Sequence, residues 1–467
     1  MVRRRALVTL VVVGLVGAQP GCRAPAESDP PSKPANPPTR ADTCRLGTLA
    51  LDYKYVPLVM DLETVVSSAG VEADAAAAVG ACWVRPHLTE LFAWGHVERR
   101  RGEYDWTVTD AIVRTFQERE LELLPQIWTS SPWDHGEVGL QPPGAAPPRV
   151  EIEDIFAAGQ HPDVRGSEAL PRNSRAYATW VGALVERYDG DGHEDMPGLA
   201  RAITHYEVLN EPSGVEEARP FFDVHALTAA AAREAYPDVT LVMGGQVQRE
   251  DLERLLTMGI AEHCDVVNIH WVPSPEEVQH YRELSGGLPL WVSEMTFLDR
   301  GEPGQEVEQA RYLVQNHARA FAAGAEKIFW IEILGERRPQ LEMPPGLPRE
   351  QSGSCLWPEG KVPRRGYHAY ARMASALAHF DTVEIVPTPA GVEAYRFMVD
   401  GEERYVAWAD GEGKNLELPR ASARVTPLVG TDPGGDWPSW DAPDDGWSLV
   451  IPLTANPVLV EPEGGRP

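Results

Sequence analysis

The sequence predicts an α/β fold in which a (β/α)8 TIM barrel is followed by a small C-terminal β-sandwich. Short apolar runs alternate with helical periodicity over residues 46–380, and period-two strands replace this alternation in residues 381–467. Strands that alternate with helices pair in parallel through right-handed crossovers. The alternating part is long enough for eight such units, because (β/α)8 barrels occupy about 200 to 400 residues. A doubly wound sheet is the rival, but no glycine-rich turn of the nucleotide-binding type follows any predicted strand.

The N-terminal segment predicts export rather than part of the fold. Three arginines precede an uncharged run at residues 6–18, which is too short to span a bilayer but suits a signal-peptide core. Cys22 follows a glycine and resembles the lipidated cysteine of bacterial lipoproteins, although Gln19 stands where that class prefers leucine. We therefore predict a lipoprotein-type signal peptide in residues 1–22, with simple secretion as the alternative. The proline-rich residues 23–45 predict an extended linker.

Eight strand–helix units are expected in the barrel. The first strand is sought in residues 46–62, where the signal is weak, and the others are the runs ACWVRPHL, LELLPQIW, HYEVLNEP, TLVMGG, CDVVNIHW, LPLWVSE and KIFWIEI. Helices are expected where apolar residues recur at three- and four-residue spacing. These segments are residues 71–81, the run YDWTVTDAIVRTFQERE, and residues 177–188, 216–236, 249–258, 275–284, 306–323 and 367–380.

The C-terminal residues 381–467 have the pattern of a small antiparallel domain. The runs VEAYRFMV and ERYVAWAD alternate apolar and polar residues around an Asp-Gly turn, which predicts a hairpin. The runs LELPRA, WSLVIPL and NPVLVEP continue the pattern, with proline and glycine between them. Together they predict a β-sandwich.

Composition limits the partners of the protein. The chain has 43% hydrophobic and 24% charged residues and a net charge of −28, which disfavours binding to nucleic acid or to an anionic membrane surface. Its cysteines do not have metal-site spacing. Cys82 and Cys264 begin apolar strands and are expected to be buried thiols, whereas Cys44 and Cys355 lie in loops and are candidates for a disulfide.

Two acidic side chains stand where barrel strands end. Glu211 follows the fourth predicted strand and Glu294 ends the seventh, and in barrels of this kind the active groups lie at the C-terminal ends of strands. Pro212 is expected to hold Glu211 in extended geometry. Two carboxylates across one barrel mouth suit glycoside hydrolysis, in which one protonates the leaving oxygen and the other attacks the anomeric carbon or activates water.

These motifs resemble a known superfamily. The runs EVLNEP and WVSE are similar to the signature of the clan A retaining (β/α)8 glycoside hydrolases. WVRPHL, WGHVE, RGEYDW, SPW, VERY, NIHW and KIFWIEI are closest in pattern to the β-xylosidase-like members of family 39, and families 5 and 42 are also resembled. The resemblance covers roughly residues 80–460. It implies that Glu211 is the acid/base and Glu294 is the nucleophile.

The same resemblance implies roles for five further side chains. Asn210 would donate to the sugar 2-hydroxyl, and Arg85 would orient the nucleophile and keep it ionised. His270 would contact the sugar or support the site, Trp330 would form the floor of the innermost sugar site, and Trp128 is a further candidate platform.

The chain also departs from the superfamily pattern. Trp271 follows the sixth-strand histidine where the superfamily often has tyrosine, so a tyrosine that supports the nucleophile would have to come from elsewhere, with Tyr281 as a candidate. Glu207 is a spare acid near Glu211 that does not end its strand, and it is expected to be the structural partner of a base.

The sequence therefore predicts an exported retaining glycosidase that acts on a glycoside or oligosaccharide, with no metal and no cofactor. The proline-rich insert at residues 129–172 favours exo action, since such inserts often close one end of a cleft. The bond that is cleaved is expected to be β-linked. An endo-acting family 5-like glycanase, a transglycosylase and a non-catalytic carbohydrate-binding barrel remain alternatives. Lipidated Cys22 would place the protein on the cell envelope, and simple secretion would release it.

Overall fold

The computed structural model describes residues 43–50, 62–86, 91–129, 131–135, 170–212, 214–297, 302–335, 355–358, 362–419, 422–442 and 448–463. The predicted signal peptide, Cys22 and nearly all of the predicted linker lie outside these residues, as does most of the proline-rich insert. Among the helices of the described ranges, none has the length and apolar character needed to cross a lipid bilayer.

Parallel strands form the first part of the fold. The strands are β1 (Leu46–Ala50), β2 (Trp83–Pro86), β3 (Glu122–Leu123), β4 (Gln126–Ile127), β5 (His205–Val208), β6 (Thr240–Met243), β7 (Val267–Ile269), β8 (Leu290–Met295) and β9 (Ala325–Trp330). They pair in the orders β3-β2-β1-β9-β8-β7 and β4-β5-β6, and single bridges from Val242 to Val266 and from Gln246 to Ile269 join β6 to β7. The predicted barrel is confirmed.

The third barrel strand is divided into β3 and β4 by Pro125, which has no N–H to donate to a ladder. Before the break, the Leu124 N–H donates to the Val84 carbonyl at 2.9 Å, toward β2. At the break, the Pro125 carbonyl accepts from the Glu207 N–H at 2.9 Å, toward β5. Counting β3 and β4 as one strand, the barrel has eight strands.

Helices cover the outside of the barrel, and each predicted helix is present. They are α1 (Leu62–Ala78), α2 (Trp94–Val97), α3 (Thr107–Gln117), α4 (Pro132–His135), α5 (Ser174–Glu186), α6 (Gly214–Ala235), α7 (Arg249–Thr257), α8 (Pro275–Ser285), α9 (Gln305–Ala323) and α10 (Arg365–Leu377). The first begins earlier than expected because Val65 and Ala69 continue the buried stripe of Ala73 and Ala76. Its valines, serines and glycine are weak helix formers, so tertiary burial decides the boundary.

The C-terminal residues form the predicted sandwich. Its strands are β10 (Thr382–Ile385), β11 (Val392–Val399), β12 (Glu402–Ala409), β13 (Lys414–Leu418), β14 (Ser422–Pro427), β15 (Trp440–Ala442), β16 (Leu449–Leu453) and β17 (Val458–Glu463). Six strands pair in the order β10-β11-β12-β17-β14-β15, and β13 pairs with β16. The expected hairpin turn lies at Asp400 and Gly401, whose φ angles of 52° and 80° are those that tight hairpin turns require.

The cysteine predictions are wrong in one respect. Cys44 is bonded to Cys82, with their Cα atoms 6.2 Å apart, while Cys264 and Cys355 are buried and take no part in this disulfide. The pairing follows from the fold, because β1 and β2 are parallel neighbours in which Gly47 lies opposite Trp83. The residues just before the two strands are therefore adjacent. Burial raises the pKa of the Cys264 thiol to about 12, which makes this thiol unreactive.

Replacing both Cys44 and Cys82 with alanine is expected to lower the free energy of unfolding by about 3–4 kcal/mol, since the bond closes a long loop of the unfolded chain. Urea unfolding of the parent protein and the double variant measures the difference. A reductant should shift the parent midpoint toward that of the variant and leave the variant unchanged. Identical midpoints for the oxidised parent and the variant would contradict the assigned disulfide.

Candidate active site

The chain turns sharply where β5 ends. Leu209 and Glu211 have φ angles of +61° and +38°, so the expected extended geometry of Glu211 is wrong. The turn is held on both sides, because the Leu209 N–H donates to the Ile127 carbonyl at 3.0 Å and the Glu211 N–H donates to the Gly245 carbonyl at 2.9 Å. Left-handed conformations in residues other than glycine cost about 1–3 kcal/mol each and cluster at functional sites.

Glu294 is placed by an irregularity in β8. Val292 lies opposite Ile328 and Met295 lies opposite Trp330, with a register shift between them. Ser293 and Glu294 therefore stand opposite a single residue of β9, which is the arrangement of a β-bulge. Bulges next to active sites redirect side chains. Glu294 is the second-to-last residue of the strand, and its side chain is 10% exposed.

The two candidate glutamates face one another at the C-terminal ends of the barrel strands. One carboxylate oxygen of Glu211, one of Glu294 and a ring nitrogen of His270 all lie within 4.8 Å of one another. Retaining glycosidases hold their two carboxyl groups about 5–5.5 Å apart, whereas inverting enzymes leave about 6.5–9.5 Å for a water molecule. The Glu211 side chain is 39% exposed and that of Glu294 is 10% exposed.

Carboxylates and imidazole are also metal-ligand types. The Glu211, His270 and Glu294 cluster therefore has the donors that a divalent cation would need. Within this cluster, Glu211 is hydrogen-bonded to His270, and Glu294 accepts a hydrogen bond from Arg85. The sequence-based expectation that no metal is needed stays a prediction.

Arg85 ties the nucleophile candidate to the interior of the barrel. Its guanidinium is fully buried and donates from Nη1 to Glu294 Oε1 at 2.6 Å and from Nη2 to Asn210 Oδ1 at 2.8 Å. Nε and Nη2 donate together to the two oxygens of Glu207, the second bond being 3.0 Å. Burial lowers the pKa of Arg85, but Glu207 and Glu294 outweigh that effect, so the pKa is raised. The guanidinium is therefore permanently charged, and it lies in hydrogen-bond contact with Glu294.

Glu207 has the structural role expected from the sequence. It is fully buried. Besides the two hydrogen bonds from Arg85, it accepts the Gly245 N–H at 3.1 Å and Asn268 Nδ2 at 3.0 Å. Asn268 was not among the predicted site residues. It lies two residues before His270 on the β7 segment, and that spacing places both on one face of a strand.

His270 lies beside both glutamates. Its Nδ1 is 2.6 Å from Glu211 Oε1 and 3.8 Å from Glu294 Oε2, and its Nε2 is hydrogen-bonded to Ser293 Oγ at 3.0 Å. The side chain is only 3% exposed. Of the two roles considered from the sequence, the structure therefore favours support of Glu211 over contact with a sugar.

The two predicted tryptophans lie in different environments. Trp128 follows β4 at the rim, is 7% exposed, and its carbonyl accepts the Trp94 N–H at 3.1 Å. The Trp330 side chain points out of the barrel toward α9. Its ring stacks on His317 and lies edge-on to Tyr312, both of that helix. A fully buried ring in that layer presents no face to a sugar, so the predicted floor position of Trp330 is corrected to a core position.

Tyr281, the candidate replacement for the missing tyrosine, lies on α8. Its ring packs edge-on against Trp271, with centroids 6.3 Å apart. Burial, followed by the charge of Glu277, raises the pKa of Tyr281 to about 12. The phenol is therefore neutral at ordinary pH, and its ring supports Trp271 rather than the nucleophile.

Gly245 has no room for a side chain. A Cβ at this position would lie 1.8 Å from His270 Nε2, so Gly245→Ala is expected to push the imidazole away from Glu211. Displacing a group that orients a catalytic residue costs roughly 10–100-fold in rate. Gly182→Ala in α5 is the matched control, since nothing lies within 4 Å of its Cβ. Equal kcat/KM values for the two variants on a chromogenic glycoside would contradict this arrangement.

Several solved structures that are similar to this chain are glycoside hydrolases. A family 39 glycoside hydrolase from Bacteroides cellulosilyticus is 17% identical, with a TM-score of 0.63 over 91% of this chain and 83% of that one. A monomeric β-xylosidase from Caulobacter crescentus is 15% identical, with a TM-score of 0.55 over 90% and 97% of the two chains. A family 30 endoxylanase from Clostridium papyrosolvens is 12% identical, with a TM-score of 0.56 over 90% and 96%.

No protein-family model matches the sequence, and no curated protein is significantly similar to it. At these identities the structural likeness establishes the fold: a (β/α)8 barrel with a C-terminal β-sandwich, as in these glycoside hydrolases.

Proposed function

We propose that the protein is a retaining glycoside hydrolase that cleaves a β-linked sugar in two displacement steps. The observation that carries this proposal is the approach of the Glu211 and Glu294 carboxylates to within 4.8 Å across one barrel mouth. This separation suits direct attack by a carboxylate, since an inverting site would need space for a water molecule. The shared fold with solved glycoside hydrolases supports the same reading.

In the first step, Glu294 attacks the anomeric carbon. A bond forms between its carboxylate oxygen and C1 while the C1–O bond to the leaving group breaks. Glu211 transfers its proton to the departing oxygen, which leaves as an alcohol, and becomes a carboxylate. Arg85 orients Glu294 through the 2.6 Å bond. Asn210, whose Oδ1 accepts from Arg85, would donate its amide N–H to the sugar 2-hydroxyl.

In the second step, a water molecule replaces the departed alcohol. Glu211, now a carboxylate, takes a proton from this water as the water oxygen bonds to C1. The C1–O bond to Glu294 breaks, and Glu294 is released as a carboxylate. Both groups return to their starting states, and two inversions at C1 yield net retention. His270, 2.6 Å from Glu211, steadies the group that alternates between acid and base.

The finer assignments rest on likeness and on the sequence. Exo action on a β-xyloside or a related β-glycoside agrees with the β-xylosidases among the similar structures, and the endoxylanase among them makes endo action the alternative. Export follows from the N-terminal pattern, with a lipid on Cys22 anchoring the protein to the cell envelope.

A panel of nitrophenyl α- and β-glycosides tests the proposal. We expect hydrolysis of at least one β-linked member of the xyloside, glucoside, galactoside and mannoside set. The Glu211→Gln, Glu294→Gln double variant, which preserves the shape of both side chains, is the control for contaminating activity. Binding of these glycosides without turnover would contradict the proposal and favour a carbohydrate-binding barrel.

A further inference from the structure

Besides Glu211 and Glu294, the site contains a third carboxylate, Glu207, which is buried and is not consumed in the two-step reaction. Glu207 is 0% exposed and takes two donors from Arg85, which is itself 0% exposed. The same guanidinium donates to Glu294. One permanent cation is therefore shared between two carboxylates, of which only Glu294 changes its charge during the proposed reaction.

The charges of this cluster differ between the two states of the enzyme. In the free enzyme, the formal charges of Arg85, Glu207 and Glu294 sum to −1. In the glycosyl-enzyme, Glu294 is an ester without formal charge, and the sum is zero because Glu207 still balances Arg85. With a neutral residue in place of Glu207, the balanced state would be the free enzyme, and ester formation would leave a buried cation without a counter-charge. Uncompensated buried charges are among the costliest features of a protein interior.

Glu207 is surrounded by hydrogen-bond donors. Its oxygens accept the Arg85 fork, the Gly245 N–H and Asn268 Nδ2, and such donors stabilise a carboxylate. Asn268 cannot rotate its amide, because its Oδ1 accepts the Ser293 N–H at 3.0 Å and thereby directs Nδ2 toward Glu207. Glu207 lies on β5, and its donors come from β2, from β7 and from Gly245, which follows β6.

We propose that Glu207 is a positioning residue whose charge keeps Arg85 balanced when Glu294 is esterified, so that it selectively favours the covalent glycosyl-enzyme over the free enzyme. This inference rests on the proposed double-displacement function. Glu207 acts through its hydrogen bonds to Arg85 rather than through contact with the sugar or the leaving group.

Rates of covalent labelling test the inference. The probes are 2,4-dinitrophenyl 2-deoxy-2-fluoro-β-glycosides of xylose, glucose, galactose and mannose, whose leaving group needs no proton from Glu211. Intact-protein mass spectrometry follows ester formation, and peptide mapping locates the label. Glu207→Gln removes the charge and keeps the shape, whereas Glu207→Asp keeps the charge. Asp110→Asn, which removes the partner of Arg187 on the outer helix layer, controls for the loss of a partly buried ion pair.

We expect Glu207→Gln to label at least about 100-fold more slowly than the parent, which corresponds to about 2.7 kcal/mol of barrier. Glu207→Asp should label at least about 10-fold faster than Glu207→Gln, and Asp110→Asn should match the parent. Equal labelling of the parent and Glu207→Gln, or equal slowing of the Gln and Asp variants, would overturn the role of the charge.

A second measurement needs no folded variant. Labelling the parent at Glu294 should leave its thermal unfolding midpoint unchanged or raised, because the cluster becomes neutral. A lower midpoint would overturn the inference, since it would mean that esterification leaves Arg85 unbalanced. If no probe labels Glu294 of the parent, the proposed function itself fails and this inference fails with it. If the parent is labelled and Glu207→Gln is labelled at the same rate, the role of Glu207 is contradicted and the proposed function stands.

Discussion

Glu294→Ala is expected to lower kcat/KM on a nitrophenyl glycoside by on the order of 10⁵-fold, which is the scale of losing a catalytic nucleophile. The alanine leaves a space beside Arg85, whose Nη1 is 2.6 Å from Glu294 Oε1 in the parent. Azide can occupy that space next to the cation and attack C1 directly. Only one displacement then occurs, so the product is a glycosyl azide of inverted configuration.

The measurement is the rate of nitrophenolate release with and without azide, with the product configuration read by NMR. Glu326→Ala is the matched control, since Glu326 lies near the start of β9, at the opposite end of the barrel from the active site. Its kcat/KM should stay close to that of the parent. Parent-like activity of Glu294→Ala, or an azide product of retained configuration, would contradict the assignment of the nucleophile.

Glu211→Ala is expected to have an effect that depends on the leaving group. A positioned general acid contributes about 10²–10⁴-fold, and only substrates whose leaving oxygen needs protonation lose that contribution. Formation of the intermediate from a dinitrophenyl glycoside should therefore be nearly unaffected, whereas an unactivated disaccharide should lose the full factor. The half-exposed position of Glu211 agrees with access to the departing oxygen and to the incoming water.

Pre-steady-state release of dinitrophenolate separates the two steps of this variant. We expect a burst followed by slow turnover, because the second step lacks its base. Azide should accelerate the second step and give a product of retained configuration, since Glu294 still performs the first displacement. Equal rate losses on activated and unactivated substrates would contradict the acid role of Glu211.

The order of elements was predictable because the patterns are local. Alternating strand and helix runs identified the barrel, and the ends of two strands identified Glu211 and Glu294. The backbone at Glu211 was not predictable from Pro212, because the turn is held by hydrogen bonds to Ile127 and Gly245 on other strands. The residue before a proline avoids the right-handed helical region, and that preference leaves more than the extended conformation open.

The orientation of Trp330 shows where pattern reasoning stops. A parallel barrel strand is buried on both faces, so hydrophobicity does not distinguish the inner from the outer side. Lys327 lies over the rings of Trp83 and Trp291, and alternation then turns Trp330 outward to α9. The resemblance that placed Trp330 under the sugar carried no information about this register.

The contacts of Glu207 depend on tertiary structure in the same way. Its partners Arg85, Gly245 and Asn268 come from three segments that are distant in the sequence. The sequence indicated only that Glu207 does not end its strand and would pair with a base. Its place between Arg85 and the amide donors emerged from barrel closure, as did the pairing of Cys44 with Cys82.

The central claim is that Glu211 and Glu294 act on opposite sides of one anomeric carbon in two displacements. The most direct measurement is time-resolved proton NMR of the sugar first released from a β-glycoside that the panel identifies, before mutarotation. The account predicts the β-anomer as the initial product. Initial release of the α-anomer would mean a single displacement by water, and it would contradict the geometry argued from the carboxylate separation.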